Sequence, residues 1–359
     1  MVHNPPLRPV HDRTVGRGTL SLGVAVVGAG LVGSRRAACA AAQSRLEVIA
    51  DLDEARAAEL AGRHGVRHTT HWEAAITDAN VDIVAVCTSN KFLAPITIAA
   101  LRAGKHVLCE KPMGRNANEA ADIAATARVV DRVLKVGFTL RFHPAIRRAR
   151  ELCAQGDLGP IFFIHAIYGH GGRPGYEKEW RGDADLAGGG ELLDQGVHLL
   201  DLSRWFLGEL EVVAAITPRW HWEVAPLEDN AFIYLRSRGG AVANLHTSWT
   251  MWKNRFSFEV LGRDGYIRID GLGGSYGVES LTVGRRRTEG GVPDETLATY
   301  GNSDASWEED WRDLIACIQE GRSPEVNAEA GLATMQLVDE IYAMAAKPPA
   351  TAKSLTSSR

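Results

Sequence analysis

Residues Leu22–Gly33 read LGVAVVGAGLVG, and the fold follows from how that stretch divides. Its first half is a short apolar run rich in β-branched side chains, the composition of a strand buried on both faces of a parallel sheet. It opens directly into Gly28-Ala29-Gly30-Leu31-Val32-Gly33, and the alanine-rich continuation to Ala42 reads as a helix. Gly28 allows the tight turn, Gly30 a close backbone approach to a pyrophosphate, and Gly33 close packing of helix on strand. The helix start offers unpaired N–H groups and a positive dipole end to phosphate oxygens. Glycine turns alone are common. Here, however, the next strand-like run, Leu46–Ala50, ends in Asp51, the spacing at which an acid meets the adenosine ribose. Leu52 follows where an NADP site often has arginine, so the expected cofactor is NAD rather than NADP.

Downstream, strands and helices alternate. Glu54–His64 reads as a helix, Val81–Cys87 as a buried strand, and Thr88-Ser89-Asn90 as a turn before a helix through Arg102. His106–Cys109 is the next strand, followed by Glu110-Lys111-Pro112, a helix from about Asn116 to Val130, and a closing strand Val133–Phe138. This alternation predicts a doubly wound parallel sheet, with Gly28, Asp51, Thr88 and Lys111 along one ligand-binding edge. Beyond Phe142 the texture changes. A helix at 145–155 and a strand at 161–168 precede a glycine-, charge- and tryptophan-containing loop, His170–Gly190, and a helix Glu191–Leu207. Strand-like runs at 212–218, 230–235, 241–247, 256–261 and 266–270, joined by hairpin-type turns, predict a large, open, mostly antiparallel sheet. Residues 273–303 read as irregular, and two helices, 306–320 and 328–345, follow. The expected architecture is therefore α/β: a Rossmann domain over 20–142 and a substrate and oligomerisation domain over 143–346. A loosely attached lead (1–19) and a flexible tail (347–359) flank them.

A chain of 359 residues suits two cores. Its 45% hydrophobic and 23% charged content is that of an ordinary soluble globular protein, and a net charge of −4 offers no basic field for nucleic acid. Five scattered cysteines without a Cys-x-x-Cys pattern read as free thiols in a reducing compartment. No apolar run reaches membrane-spanning length. The expectation is a cytoplasmic protein with no membrane or nucleic-acid partner.

Two constellations carry chemistry. Lys111 lies at the carboxyl end of a central strand, where its ammonium can donate to a substrate oxygen and stabilise a developing alkoxide. The alternative is a surface lysine before a turn. In Gly188-Gly189-Gly190-Glu191-Leu192-Leu193-Asp194-Gln195-Gly196-Val197-His198, Asp194 and His198 are four apart and share a helix face. An imidazole suits proton transfer from a hydroxyl, and Asp194 suits orienting that hydroxyl or the ring. The competing readings are a surface ion pair and a metal site. The latter lacks a third ligand at comparable spacing, His165 and His170 being the nearest candidates, and no metal is expected. Asp201 is as readily a pairing residue within the fold. Trp180, Trp220, Trp222, Trp249 and Trp252 suit stacking on sugar C–H faces, although packing in a core or subunit interface explains them more simply. Arg173 and Arg181 suit a carboxylate or phosphate, or merely solvent.

On AVVGAGLVG, GKHVLCEKPMG and GGGELLDQGVHLLDLSRWFLG, the sequence resembles the Gfo/Idh/MocA oxidoreductase family from about Leu20 to Ala345. The resemblance implies a cofactor set of Gly28, Gly30, Leu31, Val32, Gly33, Asp51, Thr88, Asn90, Glu110 and Lys111. It also implies catalytic Lys111, Asp194 and His198, and a substrate set of Lys111, Arg141, Trp180, Asp194 and His198. The implied activity is NAD(H)-dependent hydride transfer at a secondary ring hydroxyl or ketone of a sugar, glycoside or cyclitol, in a homodimer or homotetramer. The alternatives are cofactor-assisted glycoside cleavage or epimerisation, and a non-catalytic NAD-binding regulator. Lys91 and Leu93 depart from the family, where histidine is often found, which bears on substrate contacts rather than on the reaction.

Overall fold

The structure is a computed structural model that describes residues 21–301 and 304–346; the expected lead and tail lie outside the described residues. The first half alternates β1 (Gly23–Val27), α1 (Leu31–Gln43), β2 (Arg45–Ala50), α2 (Glu54–His64), β3 (Arg67–Thr69) and α3 (Trp72–Thr77). It continues with β4 (Ile83–Val86), α4 (Asn90–Arg102), β5 (His106–Cys109), α5 (Ala117–Val129) and β6 (Leu134–Val136). Local chemistry sets the boundaries. Asp53 caps α2 by accepting from the Arg56 N–H, and Asn116 caps α5 by accepting from the Glu119 N–H. The six strands are parallel in the order β3-β2-β1-β4-β5-β6. This is the doubly wound order whose direction reverses between β1 and β4, leaving a crevice above their carboxyl ends. Every residue of β1 is buried, as a strand covered on both faces must be.

The second half contains α6 (Pro144–Ala154), β7 (Ile161–Gly169), the one-turn α7 (Ala184–Ala187) and α8 (Val197–Leu207). Next come β8 (Leu210–Ile216), β9 (Asn230–Ser237), β10 (Val242–Ser248), β11 (Arg255–Gly262), β12 (Gly265–Asp270), β13 (Ser280–Arg285) and β14 (Asp294–Thr299). The chain closes with α9 (Ser306–Glu320) and α10 (Ala328–Ala345). The sheet order is β14-β13-β12-β11-β7-β10-β9-β8, antiparallel except where β7 meets β10.

Three expectations need correction. Residues 273–303 are not wholly irregular: β13 and β14 form a hairpin at the sheet edge. All six residues of β14, DETLAT, are exposed, so this edge strand carries no apolar alternation to reveal it. The helix expected over Glu191–Leu207 is continuous, but Leu192–Gly196 form a π turn in it rather than α turns before α8 begins. The third concerns α9, expected within the second domain. Fully buried Trp311 and Leu314 pack with Val24, Val26, Ala37 and Ile83, on the α1 side of the first sheet. An amphipathic helix shows that it has a buried face, but not which sheet that face will cover.

Candidate active site

One cavity of about 1140 Å³ runs from the Gly28 turn and Asp51 past Thr88 and Lys111 to Asp194, His198, Trp180 and Tyr276. At the first end, Gly28 has φ 102°, and an added Cβ would lie 2.5 Å from the Cys87 carbonyl oxygen. At Gly33 a Cβ would sit 1.7 Å from the Gly28 oxygen, so α1 can approach β1 only without a side chain there. Gly30 differs: among the described residues its Cβ would meet nothing within 4 Å, and no side chain caps the α1 N-terminus. That open space before a helix dipole fits a pyrophosphate. Asp51 accepts from the Ala29 N–H at 2.7 Å and the Asp53 N–H at 2.9 Å, which fixes its carboxylate at the cavity wall. These residues fit a dinucleotide. Gly30→Val is therefore expected to weaken NADH binding by about 1–3 kcal/mol without lowering thermal stability. Gly33→Ala is expected to destabilise the fold. Fluorescence titration and thermal melts separate the two.

Leu31, Val32, Thr88, Asn90 and Glu110 also line the cavity. Asn90 donates to the Ala187 carbonyl at 2.8 Å, joining α4 to the second half. Glu110 is buried and held by Arg36 through contacts of 2.6 and 2.7 Å. Burial raises its pKa and Arg36 opposes that rise. Glu110 thus anchors the strand end that carries Lys111, and the Lys111–Pro112 peptide is cis.

At the other end, Lys111 from the first half meets Asp194 from the second. Its Nζ donates to the Asp194 carbonyl and lies 3.2 Å from Oδ1. Arg181 Nε takes the second carboxylate oxygen, also at 3.2 Å. Burial opposes ionisation of Asp194, but the Arg181 and Lys111 charges prevail and hold it well below the usual carboxylate range. His198 is buried between the rings of Phe138 and Tyr168. Burial first, then the Lys111 charge, depresses its pKa well below 6.5 against the pull of Asp194. Among the described residues its Nδ1 is sealed without a partner, which leaves Nε2 as the nitrogen able to reach the cavity. Because the ring stays neutral, the acid limb of kcat/KM for alcohol oxidation is expected below pH 6.5. A limb centred above 6.5 in a pH–rate profile would remove His198 from that role.

Arg141 is the substrate residue that the structure moves elsewhere. It is buried in a bidentate pair with Asp201, both contacts 2.7 Å, and does not line the cavity. It locks α8 to the turn after β6, the role foreseen for Asp201. Trp180 does line the cavity, whereas Trp249 is buried, and Trp220 and Trp252 are exposed. Lys91 pairs with Asp185 and Leu93 is buried. Two residues at the site lack a clear signal in the sequence, and a third, Arg181, is read there only beside Arg173 as suiting a carboxylate or phosphate, without its partner Asp194. Tyr276 lies in a stretch read as irregular and accepts from Gln195 at 2.9 Å. Glu191 is buried beside His170 and Asp194, with ligand-type atoms of all three within 4.8 Å of one another. Asp194 in that cluster already faces two cations.

Residues 22–138 match the family model described as an oxidoreductase family with an NAD-binding Rossmann fold, and residues 146–268 match the Gfo/Idh/MocA C-terminal domain. Together these models span most of the chain, which belongs to the Gfo/Idh/MocA oxidoreductases. It is 27% identical over 284 residues to a levoglucosan dehydrogenase of Pseudarthrobacter phenanthrenivorans, covering 69% of this chain and 73% of that one. A 1,5-anhydro-D-fructose reductase of Ensifer adhaerens is 34% identical over 217 residues, 59% of this chain and 64% of the relative, just under two-thirds of its length. The solved aldose–aldose oxidoreductase of Caulobacter crescentus, complexed with glycerol, matches with a TM-score of 0.79 at 28% identity, over 90% of this chain and 97% of that one.

Proposed function

We propose that this protein is an NAD(H)-dependent dehydrogenase or ketoreductase acting on a secondary ring hydroxyl or ketone of a sugar, glycoside or cyclitol. The observation that carries this reading is the meeting of Lys111, Asp194 and His198, contributed by two halves of the chain, in the cavity that begins at Gly28 and Asp51. When bound, the nicotinamide accepts or supplies the hydride. In the oxidative direction, His198 Nε2 takes the proton of the hydroxyl, a transfer that its neutral ring permits. Lys111 Nζ donates to the same oxygen and stabilises the negative charge that grows there. Asp194 holds Lys111 in place, and Arg181 holds Asp194. Asp51 favours NAD, since its carboxylate would repel the 2′-phosphate of NADP. Of the cations on that part of the cavity wall, Arg56 is already paired with Asp53 at 3.0 Å and Arg35 with Asp304 at 3.5 Å.

The outer face of the second sheet supports a homo-oligomer. Cross-strand neighbours Ile216, Phe232 and Ile167 lie in one row on it, interrupted by His246 between Phe232 and Ile167, with Tyr234 beside them. Leaving such a face wet is costly. Among the described residues no helix is long and apolar enough to cross a membrane. The deciding experiment is a panel of sugars and cyclitols assayed by nicotinamide absorbance, with NAD and NADP tested separately. Net reduction of NAD supports the reading. Bond cleavage without net reduction, or no turnover across the panel, overturns it.

A further inference from the structure

We propose that the substrate is an acidic sugar whose carboxylate is held by Arg181, a refinement that rests on the oxidoreductase reading above. The guanidinium is fixed before any ligand arrives: Nε lies 3.2 Å from Asp194 Oδ2, and the group stacks 4.5 Å over the Trp180 ring. Arg181 lines the cavity, yet among the described residues neither Nη nitrogen has a hydrogen-bond partner, and neither is sealed from solvent. The pair of Nη groups is the planar edge that matches the two oxygens of a carboxylate.

Charge points the same way. Two cations, Lys111 and Arg181, face one carboxylate, Asp194. Burial keeps His170 and His198 toward their neutral forms and pushes Glu191 toward its protonated one. Arg173, also on the cavity wall, pairs with Glu179 at 2.7 Å. The substrate end therefore carries one surplus positive charge in a partly desolvated cleft. A single carboxylate neutralises it, whereas a phosphate ester brings up to about two negative charges. Lys111 faces the reacting oxygen, so the anionic substituent falls to Arg181.

The test compares methyl glucoside and galactoside with the corresponding methyl uronides and 6-phosphates, using the intact protein and NAD. The uronides are expected to show kcat/KM about ten- to a hundredfold above the neutral glycosides, the worth of a charge-assisted bidentate contact. Arg181→Gln should collapse that ratio through KM, and Arg181→Lys should restore only part of it. Equal kcat/KM for neutral and acidic sugars, preference for the phosphates, or an unchanged ratio in Arg181→Gln would each overturn the proposal. If no sugar reduces NAD, the oxidoreductase reading fails separately. Calorimetric binding of the methyl uronides to the NADH-loaded protein then decides the carboxylate site: binding weakened in Arg181→Gln sustains it, and no binding or equal binding removes it.

Discussion

Lys111→Met is expected to lower kcat by about 10²–10³-fold while NADH still binds. The substitution keeps most of the apolar stem and removes the ammonium, the donor proposed to meet charge on the reacting oxygen. Removing one preorganised donor of that kind costs about 2.7–4 kcal/mol of transition-state stabilisation. The dinucleotide end of the cavity is built from Gly28, Gly30 and Asp51 and does not depend on the lysine. His198→Asn should lose about 10²–10⁴-fold, the range for a positioned general base, again with NADH affinity kept. Stopped-flow turnover beside fluorescence titration checks both variants. Near-native kcat in either would withdraw its assigned role.

The second large effect is on stability. Asp310→Ala is expected to destabilise the fold by about 3–5 kcal/mol, because the cost of breaking a buried pair is the charge left behind. Asp310, on α9, is fully buried between two buried cations, Arg36 at 2.7 Å and Lys135 at 3.2 Å. Arg36 keeps Glu110 as a second partner, and Lys135 keeps Asp313. The loss should therefore fall at the lower end of that range if those contacts tighten. Urea unfolding monitored by tryptophan fluorescence measures it; a change under 1 kcal/mol would show that the network is solvated in practice. Since Arg36 also holds Glu110 beside Lys111, a drop in kcat beyond the loss of folded protein would indicate that the network positions Lys111.

Much of this was legible from local pattern. The β-branched run into Gly-Ala-Gly-Leu-Val-Gly, and the strand–helix alternation after it, specify a parallel sheet because each residue type serves a requirement within a few positions of itself. The ends of α9 and α10 agree with their periodicity for the same reason. Lys111, Asp194 and His198 were found by motif, and the cavity does gather them. Two departures from that pattern have different causes. β14 is an exposed edge strand held by backbone pairing with β13, which leaves no mark on side-chain pattern. Arg141 matched the substrate set by position, but its partner lies sixty residues away.

The sequence by itself determined the dinucleotide fold, its ligand edge and the motif residues that the cavity gathers, because turn geometry and burial pattern reside in short segments. Only the tertiary structure decided that α9 returns to the first sheet, that Arg141 is bound to Asp201, and that Arg181 closes on Asp194. The first depends on which sheet an apolar face covers, and the other two on which charge finds which partner. That choice is made by distance in the folded molecule, where desolvation penalises every charge left without one.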